Sequence, residues 1–398
     1  MRKKKAVLAV SSALVLVAGA EYPALADTPG PSGTPNDHHQ HRGRQGADQQ
    51  GGRNGGAQNG GQTGGQNGGQ NGGQAGGQGG GGKNGGQGGG QGRGGQNGGG
   101  GGQQVKPGPD AGQFADIRQA PPRRQPAPGK RASRGSFTSP CGRNQNQHHN
   151  PDNFIVAPGV SNGAHHIHDY VGNKSTDGFS TDDSLAAAGT TCTNGDKSAY
   201  YWPVMRLRGQ RDGSGQAAQS QADGNVGRVV LPASARMQFL GNARGGVVPM
   251  PRFMRAITGD AKAASNGGAN AHAQWTCTGF TDRAFTDKYP LCPGGSRVTR
   301  VLDFPSCWDG RNTDSANHRT HIVFPDPASG ACPQGTKAVP QLRMTLTYDL
   351  PARPLAFAVD TFPEEGHDPV TDHADFENVM SADLMRRAAA CINSGRNC

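Results

Sequence analysis

The chain has 398 residues, a formal net charge of +10, only 32% apolar residues and 66 glycines, most of them in its first third. That bias excludes one uniform globular fold. The lack of any helix-turn-helix, zinc-finger or RNA-binding signature removes nucleic acid as an expected partner.

The N-terminus reads as a secretory signal over residues 1–26. Met1 to Lys5 carry one arginine and three lysines, Ala6 to Ala20 form a short apolar core, and Ala24-Leu25-Ala26 offers the small-x-small exit that signal peptidase reads. The apolar run falls short of the roughly 20 residues that span a bilayer, so no membrane span is expected after cleavage. Cleavage removes four basic residues and Glu21, which lowers the charge from +10 to about +7. A secreted, extracellular or cell-wall-associated chain with this mild excess is drawn to anionic wall polymers.

Residues 27–136 read as a disordered linker. Between Gly51 and Gly102, 31 of 52 residues are glycine and most others are Gln or Asn, which leaves almost no apolar surface to offset the backbone entropy of folding. Val105 to Gly135 is rich in Pro and Arg and reads as a stiffer continuation. His38, His39 and His41 belong to this solvated tail, and His148-His149 lie near the start of the next segment.

Residues 137–398 have the composition of one globular domain. In Leu342 to Leu350 the apolar residues alternate, as in a strand with one buried face. Arg228–Leu231, Met237–Leu240, Arg297–Phe304, His321–Phe324 and Leu355–Val359 are further strand candidates bounded by Pro or Gly. One helix stands out: Ser381 suits an N-cap, Asp383 the first turn, and Leu384, Met385, Ala388 and Ile392 recur at helical spacing. The expected fold is mainly β, a β-sandwich-like single domain with a C-terminal helix behind a disordered Gly/Gln/Asn-rich tail. All eight cysteines fall in this segment, none forms a C-x-x-C pair, and an even count in an exported chain favours disulfides; Cys277–Cys292 and Cys307–Cys332 are the preferred local pairs.

Three patches could carry chemistry. His166-x-His168 puts two imidazoles on one face of a strand, about 7 Å apart, a spacing that suits two ligands of one metal; structural histidines are the commoner cause of this pattern. Phe304 to His321 gathers Trp308, Asp309, Asp314, His318 and His321 beside Cys307; the bland reading is an Asp309-Gly310 turn and a capping Asp314. His373-Ala374-Asp375 is another imidazole–carboxylate pair that shares a face when extended. Tyr200-Tyr201-Trp202 with Trp308 could form a stacking platform, although buried core aromatics are more common. No G-x-S-x-G, H-E-x-x-H or Walker loop occurs in the folded part.

These patches together resemble a family of unknown function, DUF1996, found in secreted proteins of actinobacteria and filamentous fungi. The likeness runs from Asn153-Phe154-Ile155-Val156 and His166-Ile167-His168 through Lys197-Ser198, Trp202-Pro203 and Gly259-Asp260. It continues in Phe304-Pro305-Ser306-Cys307-Trp308-Asp309-Gly310, Asp314-Ser315, His318 and His321, and closes at His373, Asp375, Phe376 and Asn378. Val379-Met380 departs from the Gly-Trp that usually follows. The resemblance implies no activity, so function must be read from the residues.

Two readings follow. In the first, a monomeric hydrolase acts on extracellular or cell-wall polysaccharide: His166, His168 and His321 are candidate ligands of a divalent metal, and Asp309, Asp314, His318, His373 and Asp375 are candidate catalytic groups, through metal-activated water or paired carboxylates. In the second, the domain is a non-catalytic wall- or glycan-binding module with structural histidines.

Overall fold

Alternation in the Leu342–Leu350 segment builds the longest strand, Gln341–Tyr348, at the centre of a five-stranded antiparallel sheet. The computed structural model describes residues 108–161, 165–209 and 224–398. The expected signal peptide, the Gly/Gln/Asn tract and the tail histidines His38, His39 and His41 lie outside the described residues, as do Asn162 to Ala164 within the first histidine patch.

In spatial order the first sheet runs Trp275–Cys277, Val298–Asp303, Gln341–Tyr348, Ser234–Leu240 and Ser136–Ser139. The second runs His149–Asn150, His168–Gly172, Ala199–Pro203, His373–Glu377 and Arg255–Gly259, also antiparallel throughout. The two meet over an apolar core in which the Phe376 ring lies 6.0 Å from Phe239 and 6.1 Å from Phe304. The chain is therefore mainly β and sandwich-like, closed by the helix Ala382–Asn393, whose N-cap Ser381 accepts from the Leu384 N–H. No helix among the described residues is long and apolar enough to cross a membrane.

Cysteine pairing accounts for all eight thiols: Cys141–Cys192, Cys277–Cys292, Cys307–Cys332 and Cys391–Cys398. The two local pairs expected from spacing are among them.

One boundary needs correction. Residues 108–135, expected as linker, lie on the domain: Phe114–Asp116 pairs in parallel with Tyr289–Leu291, Ile117 is fully buried, and the Arg123 N–H donates to the Asp282 carbonyl. Composition hid this because the anchor is two apolar residues, Phe114 and Ile117, in an otherwise polar stretch. The aromatic platform is also overturned. Tyr200, Tyr201 and Trp202 are fully buried, and Trp308, half-buried, donates its Nε1–H to the Asn312 carbonyl under Lys337.

The second sheet positions the site because its two faces differ. Val171, Tyr200, Phe376 and Ala256 stand in one cross-strand row facing the apolar core. Tyr170, Tyr201, Asp375 and Ile257 form the opposite row, and on that face strand periodicity adds His168, His373, Glu377, Arg255 and Gly259. The polar face is covered by Phe154 and Ile155 of the preceding loop and by Leu185 of the helix Asp182–Ala187.

Candidate metal centre

His168 opens the strand His168–Gly172, His166 stands two residues ahead of it, and His373 opens the strand His373–Glu377. All three are buried, and one ring nitrogen of each lies within 4.8 Å of the others. The ring centroids are 4.7 Å apart for His166 and His168, 5.1 Å for His166 and His373, and 5.8 Å for His168 and His373.

Backbone and buried ion pairs fix these rings. Between the first two, the Ile167 N–H donates to Asp360 Oδ2 at 3.3 Å, and Asp360 is gripped by the buried Arg206 at 2.6 and 3.0 Å. Asp372, just before His373, is gripped likewise by Arg300. Gly259 faces His373 across the strand pair at φ +75°; a side chain there would sit 2.2 Å from the Asp372 carbonyl oxygen, so only glycine permits this approach.

The His373 Nδ1 lies 2.9 Å from the Thr371 carbonyl, an acceptor. The proton is thus held on Nδ1, and Nε2 presents a lone pair 3.3 Å from His166 Nε2. A backbone carbonyl behind a ligating imidazole is the usual means of fixing tautomer and orientation in metal sites. Two nitrogens bound tetrahedrally at about 2.0–2.1 Å stand about 3.3 Å apart, so this pair already has ligand spacing. His166 Nδ1 and both ring nitrogens of His168 have no hydrogen-bond partner. Burial, reinforced by the neighbouring imidazoles, pushes the pKa of His166 and His168 well below the ordinary value. Burial also lowers His373 against the pull of the Thr371 carbonyl. All three are neutral at pH 7, the form that binds metal.

Asp375 follows on the same face. Its Oδ2 accepts from Asn153 Nδ2 at 3.2 Å, while Asn153 Oδ1 accepts from the Tyr201 hydroxyl at 2.9 Å. Oδ1 has no partner, and burial pushes the carboxyl up to about 7 although Asn153 and Arg319 act downward. The three histidines and Asp375 open into a pocket of about 250 Å³, lined also by Asn153, Val156, Ile257, Asp260, Lys262, Arg319 and Phe362. The Phe362 ring meets His166 edge-on at 4.9 Å.

The remaining expected site residues lie elsewhere. His321, read as a ligand, is satisfied locally: Nε2 donates to the Arg255 carbonyl at 2.7 Å and Nδ1 contacts the Ser315 hydroxyl at 2.9 Å. Asp309 takes the bland reading, its carboxylate accepting from the Arg311 and Asn312 backbone and from Asn312 Nδ2. Asp314 and His318 pair with each other at 2.9 Å in a second cluster, where Arg255 also holds Glu377 and Asp182. Of the eight residues picked from sequence, four line the pocket: His166, His168, His373 and Asp375. His373, expected as a catalytic group, joins His166 and His168 where His321 had been expected. Sequence reasoning missed Asn153, Arg319 and Phe362. The signal for Arg319 was its place between two histidines that drew notice themselves.

The family described as a domain of unknown function, DUF1996, matches residues 153–379. The chain belongs to this family. The match begins at the pocket residue Asn153 and ends two residues past Glu377, so it takes in every pocket-lining side chain. The departure at Val379-Met380 leaves both residues buried, one in each apolar cluster. No curated protein and no solved structure matches the chain.

Proposed function

We propose that this DUF1996 protein is a secreted, metal-dependent hydrolase of extracellular or cell-wall polysaccharide, with His166, His168 and His373 as ligands of one divalent ion. The observation that carries this reading is the convergence of three neutral, buried imidazoles with ring nitrogens within 4.8 Å of one another, of which His166 Nδ1 and both nitrogens of His168 have no hydrogen-bond partner. An all-imidazole set suits zinc, copper, nickel or iron better than magnesium or calcium. Three protein ligands leave a position for water, and such an ion supplies an activated water or hydroxide at neutral pH. Asp375, with Oδ1 unpartnered and Oδ2 held by Asn153, is the group placed to accept a proton from a water that such an ion would bind. Val156, Ala157, Ile257 and Phe362 give the pocket an apolar wall against which the face of a sugar ring can rest. The four disulfides suit an oxidising compartment outside the cell.

The test has two readouts. Calorimetric titration of chelator-treated protein with zinc should show one site per chain, absent from the triple variant His166→Ala/His168→Ala/His373→Ala. Saturation at about 100 times Kd should raise the stability of the wild type by about 2.7 kcal/mol. Release of reducing ends from wall polysaccharide should require both metal and Asp375. Zinc binding undiminished in the triple variant would overturn the metal centre; polymer binding without cleavage would make the domain a binding module.

A further inference from the structure

Arg319 differs from the other buried or half-buried arginines around the site. Arg206, Arg300 and Arg255 each grip carboxylates, whereas Arg319, among the described residues, has no carboxylate within ion-pairing distance. Its one side-chain hydrogen bond runs from Nη2 to the Gly259 carbonyl at 2.9 Å, at the strand end facing His373. The backbone around it is tied down. Asn317 Oδ1 accepts from the N–H groups of Arg319 and Thr320, His318 sits at φ +54° with its ring on Asp314, and His321 is bonded to the Arg255 carbonyl. The guanidinium is thus held at the pocket wall with most of its N–H groups unspent.

Lys262 lines the same pocket, its ammonium 5.2 Å over the Phe362 ring and 3.8 Å from Glu364. Neither pocket carboxylate pairs with Arg319, and each accepts a hydrogen bond elsewhere, although Asp375 Oδ1 has no partner. Asp260 accepts from Asn266 and from the Lys262 N–H, and Asp375 is buried against Asn153. An unneutralised planar fork beside an apolar wall matches a ligand with an anionic group next to a ring or chain.

We propose that the pocket takes an anionic saccharide unit, its carboxylate or phosphate held by Arg319 with Lys262 in support. This rests on the polysaccharide reading above and narrows its substrate class. The two anions are the chemistry of uronic-acid polymers and of phosphate-linked wall polymers, and the same fork serves both. Arg319 binds rather than reacts, so its loss weakens ligand binding without touching the histidine cluster.

The experiment uses the full chain loaded with zinc and three probes: trigalacturonate, the same trimer fully methyl-esterified, and glycerol phosphate. The ester keeps shape and removes charge. Wild type should bind trigalacturonate or glycerol phosphate at least about tenfold more tightly than the ester, and Arg319→Gln should erase that preference with zinc affinity unchanged. Arg319→Lys, which keeps the charge but not the fork, should lose part of it. Preference for trigalacturonate assigns a uronate, and for glycerol phosphate a phosphate. Equal binding of ester and anions by wild type, or a preference undiminished in Arg319→Gln, overturns the proposal. Should zinc fail to bind while Arg319 still decides the anion preference, the metal reading falls and the anion site stands.

Discussion

Replacing Asp372 by Asn should be among the most damaging single changes in this protein. Asp372 and Arg300 are both fully buried, and the guanidinium holds the carboxylate through Nε at 3.0 Å and through Nη2. Arg300 Nη1 also donates to the Pro203 carbonyl at 2.8 Å and to the Tyr348 hydroxyl at 3.2 Å. One side chain thereby ties the Ala199–Pro203 strand, the Gln341–Tyr348 strand and the approach to His373. The Asn variant removes the negative charge and leaves a buried guanidinium uncompensated, a change that costs about 3–5 kcal/mol. At about 2–4 °C per kcal/mol for a domain of this size, the melting midpoint should fall by about 6–20 °C. The zinc affinity should fall as well, because Asp372 adjoins His373, one of the three proposed ligands. The double variant Arg300→Met/Asp372→Leu removes both charges together and should regain most of the lost stability. Melting of the three proteins at pH 7 decides the matter. A loss below about 1 kcal/mol in Asp372→Asn, or a double variant no better than the single, would refute the claim that the buried charge sets the cost.

Two further outcomes follow from the packing. A chain beginning at Phe137 loses the buried Phe114 and Ile117, worth about 1.5–3 kcal/mol each, and should melt well below one beginning at Gly108; equal midpoints would show that residues 108–136 contribute nothing. Burial depresses His148, His272 and His367, so below about pH 6.5 the unfolded chain takes up protons that the fold refuses, and the midpoint should fall between pH 7 and pH 5. Glu377, raised by burial to about 7, acts the opposite way, since the fold keeps a proton that the unfolded chain releases above about pH 4.5; Glu377→Gln should therefore steepen the acid loss, and an unchanged slope would contradict this sign.

What the sequence showed follows from which signals are local. The Gln341–Tyr348 strand and the Ala382–Asn393 helix were legible because periodicity and an N-cap are written within a dozen residues. His166 and His168 were legible as a pair from their H-x-H spacing, although His166 lies in a bend ahead of the strand that His168 opens, and the two rings stand 4.7 Å apart, closer than strand alternation alone gives. Their partner was not. His321 and His373 each sat in a dense patch, and the choice between them depends on cross-strand register, with His373 opposite Gly259 and Asp375 opposite Tyr201. The same limit applies to Asp309, whose carboxylate is consumed by its own turn, and to Arg319, whose value lies in having no carboxylate partner.

The distribution of unsatisfied groups argues that the pocket is a site and not a packing accident. An unpaired polar atom in a buried position costs about 1–3 kcal/mol, so a fold under selection for stability alone removes them or scatters them. Here four such atoms, His166 Nδ1, both ring nitrogens of His168 and Asp375 Oδ1, belong to three residues lining one cavity. Asp169 Oδ2, Trp202 Nε1 and Glu377 Oε1 on the same sheet also have no partner, but only one such atom each, and other neighbours of the pocket are tightly matched. Asp360 and Asp372 are each matched to a buried arginine, His367 has the Val359 and Gly224 carbonyls beside its two ring nitrogens and donates to one of them, and His321 contacts the Arg255 carbonyl and the Ser315 hydroxyl. A chain able to satisfy those neighbours could have satisfied the pocket with hydroxyls or apolar side chains of similar size. Local rules of burial are broken where function requires it, and rigid support concentrates around the breach. The two arginine–aspartate clamps flanking His166–His168 and His373 are that support, and they keep ring nitrogens of the three imidazoles within 4.8 Å of one another.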